Sequence, residues 1–124
     1  MYVIKSLMET EAFIKKPQTS TFRQAVLQIV DAIPKGYVAT YSQIATLIGY
    51  PNHARLVGQI LRHTEASVPA HRVVSSSGRL VPGWEEQRLL LQSEGVMFHK
   101  NGNVYMKKAK IDFHKVNLMD TNDK

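Results

Sequence analysis

The stretch of this chain with the make-up of a reaction centre is Val68-Pro69-Ala70-His71-Arg72-Val73-Val74. A histidine and an arginine sit between a proline and a short apolar run. His71 is a candidate proton carrier. Nucleophilic catalysis needs an activated nucleophile beside its base, and the neighbour is Ala70, which ends in a methyl group. No other residue type fills the gap. The chain has no cysteine, which removes thiolate chemistry, disulfides and most zinc sites together. Histidines 53, 63, 71, 99 and 114 lack metal-ligand spacing, and Ser75 to Ser77 lacks the strand-nucleophile-helix setting of a hydrolase serine. No cofactor and no metal are expected.

The elements that must position this stretch come before it. Thr21-Phe22-Arg23-Gln24 is read as a capping box. Phe22, Ala25, Val26, Ile29, Val30 and Ile33 then recur at helical spacing until Pro34 and Gly36. A second capping box, Thr40-Tyr41-Ser42-Gln43, opens a short helix with Ile44, Ala45, Leu47 and Ile48 as its apolar stripe and Gly49 as its stop. Tyr50-Pro51-Asn52 makes a turn, with Asn52 placed to cap a helix from His53 to Arg62. Two short helices joined in this way fit a helix-turn-helix.

In the second of these helices Arg55, Gly58, Gln59 and Arg62 share one face, and Ala54, Val57, Ile60 and Leu61 the opposite one. A glycine inside a helix costs about 1 kcal/mol against alanine. Between two arginines on an exposed stripe, it suggests that something must approach the backbone closely. The net charge is +6, and from His53 to Arg79 there are four arginines and one acid, Glu65. That bias suits a surface that tracks phosphates, because each neutralised phosphate releases condensed counterions.

After the 68–74 stretch, Ser75-Ser76-Ser77-Gly78 reads as a turn and Arg79 to Trp84 as a loop. Glu85 to Glu94 reads as a helix carrying Leu89, Leu90 and Leu91, with Gly95 as its stop. Val96-Met97-Phe98 and Val104-Tyr105-Met106 flank Asn101-Gly102, a strong hairpin signal. Trp84 is either a pocket wall or core.

Four of these segments occur together in a known order. Ile33-Pro34-Lys35-Gly36-Tyr37-Val38-Ala39-Thr40-Tyr41, Ala54-Arg55-Leu56-Val57-Gly58, Pro69-Ala70-His71-Arg72-Val73-Val74 and Ser93-Glu94-Gly95 resemble the DNA-binding domain of the O6-alkylguanine-DNA alkyltransferases. The chain is most similar to the cysteine-less branch, the alkyltransferase-like proteins. The resemblance implies that Ala70 stands where the alkyl-accepting cysteine would be, with His71 and Glu94 as the vestigial supporting pair. It implies that Tyr41 contacts the rotated phosphate and the flipped base, that Arg55 fills the gap in the stack, and that Gly58 admits the minor groove. Gln59 and Arg62 complete the DNA-facing set. Tyr41, Ala70, Val73 and Trp84 form the expected lesion pocket, with carbonyls near Ala70 and Val73 reading the guanine. Thr64 replaces the family's turn-bracing asparagine, and the loop Arg79 to Trp84 lacks the family's tyrosine and Ser-Gly-Gly.

The expected fold is mixed α/β and mainly helical, a winged helix-turn-helix domain with a small C-terminal β-hairpin. Residues 1–18 are expected to be an N-terminal extension, 19–113 the DNA-binding domain and 114–124 a flexible tail. The implied function is binding of double-stranded DNA carrying O6-alkylguanine, flipping of the damaged nucleotide and flagging for nucleotide excision repair, without alkyl removal. The alternatives are a sequence-specific regulator built on the same helices and an active alkyltransferase. A cytoplasmic monomer with no membrane partner is expected.

Overall fold

The computed structural model describes residues 19–115. The expected extension at 1–18 and residues 116–124 of the expected tail lie outside them. Helix α1 spans Thr19–Asp31. It starts two residues before the capping box read at Thr21, which therefore lies inside the first turn and does not cap it. The apolar spacing holds: Phe22, Ala25, Val26, Ile29 and Val30 are all buried, with Ile33 just beyond the helix. Each such side chain contributes about 1.5–3 kcal/mol by leaving water.

Strand β1, Ala39–Thr40, runs directly into helix α2, Tyr41–Ile48. The second capping box forms as read. The Gln43 N–H donates to Thr40 Oγ1 at 3.0 Å, and the Thr40 N–H donates to Gln43 Oε1 at 2.9 Å. Gly49, at φ 105°, ends the helix in the left-handed conformation and donates to the carbonyls of Ala45 and Thr46. Asn52 does not cap the next helix. Pro51–His53 forms a 3-10 turn instead, and α3 runs over Ala54–His63 without a side-chain cap. Helices α1, α2 and α3 enclose the larger core, which takes in Ile44, Ala45, Ile48, Val57 and Ile60.

The second half packs on this unit through a narrow sheet. A 3-10 turn at Ala70–Arg72 leads into β2, Val73–Val74, which pairs parallel with β1, Ala39 opposite Val73 and Thr40 opposite Val74. Helix α4 spans Glu85–Ser93 and α5 Met106–Ala109. A smaller core gathers Val38, Val74, Leu91, Val96, Val104 and Ala109. Of the three leucines read on α4, only Leu91 is buried; Leu89 and Leu90 are exposed.

The architecture is mixed α/β, as expected, about half helical with a small two-stranded sheet. The expected C-terminal hairpin is reduced to one antiparallel bridge, Phe98↔Val104. The Tyr105 N–H still donates to the Met97 carbonyl and the His99 N–H to the Asn103 carbonyl, each at 2.8 Å, but α5 begins at Met106 and ends the pairing. The Val104 N–H donates to the Gly78 carbonyl at 2.8 Å, and Val104 is drawn into the smaller core. Gly78 permits this contact because any side chain would collide: a Cβ there would lie 2.6 Å from the Val104 carbonyl oxygen. Among the described residues, no helix is long and apolar enough to cross a membrane.

Candidate nucleic-acid interface

Two features built by these elements meet at Ala70. The first is a cavity of about 280 Å³ lined by Tyr41, Gly58, Leu61, Arg62, Ala70, Val81 and Trp84. Tyr41 comes from the first position of α2, held there by the Thr40 cap. Gly58, Leu61 and Arg62 come from one flank of α3. Ala70 opens the 3-10 turn, and Val81 and Trp84 come from the loop before α4. The volume lies near the lower end of the range of about 300–1,000 Å³ usual for small-molecule pockets. Burial pushes the Tyr41 phenol above its ordinary pKa, and the Arg62 charge pulls it only partly back. The hydroxyl therefore stays protonated and can donate a hydrogen bond at any physiological pH.

The second feature is a largely shielded polar triangle behind Ala70. His71 Nε2 lies 2.9 Å from Glu94 Oε2. Arg72 Nε donates to Glu94 Oε1 at 3.0 Å and Arg72 Nη2 to Glu94 Oε2 at 2.8 Å. Arg72 Nη1 also donates to the Ile33 carbonyl at 2.7 Å, tying the triangle to the end of α1. Burial would raise the Glu94 carboxyl, but the hydrogen bonds from Arg72 and His71, with their charges, hold it below the ordinary carboxylate range. Such an arrangement holds an imidazole in one orientation, as a base beside a nucleophile must be held. Here the neighbouring side chain is a methyl, so the triangle has no acceptor atom to activate.

The DNA-facing residues named from the sequence divide into two groups. Gly58 and Arg62 line the cavity, while Arg55 and Gln59 stand exposed on the outer stripe of α3. Among the described residues, none of the side chains of Arg55, Gln59 and Arg62 makes a hydrogen bond or ion pair. Gly58 has no internal need to be glycine: a Cβ there would meet Tyr41 at an ordinary 3.7 Å. Of the expected pocket residues, Tyr41, Ala70 and Trp84 come together, and Trp84 is a wall rather than core. Val73 does not line the cavity. Its side chain is fully buried and its carbonyl accepts from Gln87 Nε2 at 3.2 Å.

Three lining or bracing residues escaped the sequence reading. Leu61 was placed on the buried face of α3 but also reaches the cavity. Val81 lies in the loop Arg79 to Trp84, from which only Trp84 is expected at the pocket. Gln87 is fully buried on α4, and its signal was a lone amide one helical turn before Leu91 on the same buried face. Thr64 does act as a brace: its hydroxyl oxygen accepts from Arg23 Nη2 at 3.3 Å and from the Ala66 N–H at 3.1 Å.

The profile of the family described as 6-O-methylguanine DNA methyltransferase, DNA binding domain, matches residues 21–96. The chain belongs to this family. It is similar to the DNA base-flipping protein of Escherichia coli K12, 38% identical over 104 residues that cover 80% of this chain and 81% of that one. It is also similar to alkyltransferase-like protein 1 of Schizosaccharomyces pombe, 38% identical over 86 residues, 64% of this chain and 80% of that one. The crystal structure of S. pombe Atl1 in complex with damaged DNA containing O6-carboxymethylguanine superposes with a TM-score of 0.70 at 31% identity, covering 77% of this chain and 99% of that chain. The methyltransferases proper are longer: the chain spans 47% of the methylated-DNA–protein-cysteine methyltransferase of Mycobacterium tuberculosis H37Rv, at 38% identity over 78 residues.

Proposed function

We propose that this protein binds double-stranded DNA containing O6-alkylguanine, turns the damaged nucleotide out of the stack into the cavity beside Ala70, and leaves the alkyl group in place. Its role is then to mark the lesion for nucleotide excision repair. Arg55 enters the gap left in the stack, and the bare backbone at Gly58 lets α3 approach the minor groove. Arg62 and Gln59 hold the backbone and groove edge on either side. Tyr41, neutral and half-buried, donates to the phosphate or base at the cavity mouth. Extrusion of a nucleotide costs a few kcal/mol in unstacking and unpairing, less at a damaged pair. A stacking arginine offsets part of that cost.

The observation that carries this reading is the pairing of a base-sized cavity with an intact His71–Glu94 hydrogen bond and a methyl group at Ala70. Alkyl transfer requires an atom with a lone pair to displace guanine O6, and no such atom is offered there. The loss of the longer side chain also leaves room for the adduct. The test is a titration with three duplexes of one sequence, carrying guanine, O6-methylguanine or a larger O6-alkylguanine at one position. Modified duplexes are expected to bind more tightly by at least about tenfold, one factor of ten being about 1.4 kcal/mol. The alkyl group should be recovered intact on the DNA. Equal affinity for all three duplexes, or label transferred to the protein, contradicts the reading.

A further inference from the structure

Gln87 connects the two sides of the cavity without touching its interior. Its side chain is fully buried. Its Oε1 accepts from the Val81 N–H at 2.7 Å, on the wall that carries Val81 and Trp84. Its Nε2 donates to the His71 carbonyl at 3.1 Å and to the Val73 carbonyl at 3.2 Å, on the floor that carries Ala70. Among the described residues, no other side chain hydrogen-bonds to both. The remaining ties on the wall lie at its ends. The Arg79 N–H donates to Ser75 Oγ at 2.9 Å where the loop begins, and the Trp84 N–H donates to the Val81 carbonyl at 3.3 Å where α4 begins.

Packing alone does not explain an amide here. The buried face of α4 consists of Gln87 and Leu91, and a second leucine would fill it without bringing polar atoms out of water. A buried amide is tolerated only when its donors and acceptors are used. Gln87 uses both N–H groups and its oxygen, and all three bonds go to backbone atoms of the cavity frame. His71 is thereby held from two sides, its ring by Glu94 and its carbonyl by Gln87.

We infer that Gln87 is the specificity-determining strut of the cavity: it fixes the separation between the Val81–Trp84 wall and the Ala70 floor, and so sets the size of the O6-substituent that is accepted. This rests on the reading that the cavity receives O6-alkylguanine. With the strut in place, the wall stands at one distance and adducts are ranked by fit. Without it, Leu80 still packs on the smaller core and the loop keeps its bonds at 79 and 84, but no side chain joins Val81 to the Ala70 floor, and the cavity adapts to the adduct offered.

The experiment compares wild-type protein with Gln87→Leu on duplexes carrying guanine, O6-methylguanine or O6-benzylguanine. The ratio of benzyl to methyl affinity is expected to shift by about fivefold in the variant, the scale of one net hydrogen bond. Affinity for the unmodified duplex should change less than about twofold. A residue that merely stabilises the fold would lower the fraction of active protein and leave the ratio between adducts alone. An unchanged ratio overturns the strut. Loss of discrimination between modified and plain DNA in the wild type removes the functional reading, and the strut with it, and is seen in a different sample. If Gln87→Leu does not fold, amide hydrogen exchange in the wild-type protein decides. A Val81 N–H as protected as the α4 interior supports the strut, and exchange at the rate of an open loop overturns it.

Discussion

The triangle behind Ala70 and the exposed side of α3 differ in how their charges are used. In the triangle, His71, Arg72 and Glu94 satisfy one another and the Ile33 carbonyl, with side chains only 10–13% exposed. On α3, Arg55 and Arg62 are exposed and make no hydrogen bond or ion pair among the described residues. A charge with no internal partner, beside a glycine with no internal reason, is a surface made for something outside the chain. A charge fully engaged within the fold is structure, whatever chemistry the same groups could perform beside a nucleophile. On the proposed function, the difference separates groups that hold the fold from groups that would meet DNA.

The comparison can be broken first at Glu94. Glu94→Ala leaves Arg72 and His71 buried without their shared partner, and removal of one member of a buried pair typically costs about 3–5 kcal/mol. Thermal or urea unfolding should record a loss of that order, with DNA affinity falling only as the folded fraction falls. The same residue fixes the acid limb of stability. Its carboxyl titrates lower in the folded protein than in the unfolded chain. Its contribution is therefore complete above the ordinary carboxylate range and is lost as pH falls through the depressed folded value. Melting curves from neutral pH downward should show that loss in wild type and a shallower one in Glu94→Gln; identical acid limbs would break the assignment.

Arg55→Ala should do the reverse. The side chain is exposed and unpartnered, so the melting temperature should stay within the scatter of a surface substitution. Binding to modified duplex should weaken by about tenfold, since a stacking group is worth about 1–3 kcal/mol. A change in melting temperature with unchanged binding would place Arg55 with the structural group instead.

Gly58→Ala sharpens the comparison most, because its two effects have opposite signs. Helix propensity predicts a gain of about 0.5–1 kcal/mol in stability, and the 3.7 Å approach to Tyr41 leaves room for the methyl. A helix that lies close against DNA should bind more weakly with that methyl present. Greater stability with unaltered affinity would mean that nothing approaches α3 at this point.

How much of this was legible in the sequence follows from the range of the interactions. The Thr40–Gln43 capping box and the Gly49 stop are set by residues within four positions of one another and form as read, and on α3 Val57 and Ile60 are buried while Arg55, Gln59 and Arg62 are exposed. Features decided across the chain were not legible. The Asn101-Gly102 turn predicts a hairpin, but after one bridge the chain enters α5 and pairs with Val38 instead, far away in sequence. Asn52 has the chemistry of a cap, but Pro51 commits its segment to a 3-10 turn. Val73 belongs to a motif that elsewhere borders a pocket, yet its side chain points into the core and its carbonyl is taken by Gln87. Gln87 itself shows only as one polar residue on a helix, because its partners lie 6, 14 and 16 positions away.

The most direct measurement places a fluorescent purine analogue at the lesion position of a duplex and follows its emission as protein is added. Stacked in the helix the analogue is quenched. Emission is predicted to rise to a plateau with wild-type protein, and to rise far less with Arg55→Ala at concentrations where that variant is bound. An analogue that stays quenched while the duplex is saturated with wild-type protein would contradict the account, since the base would then never have left the stack.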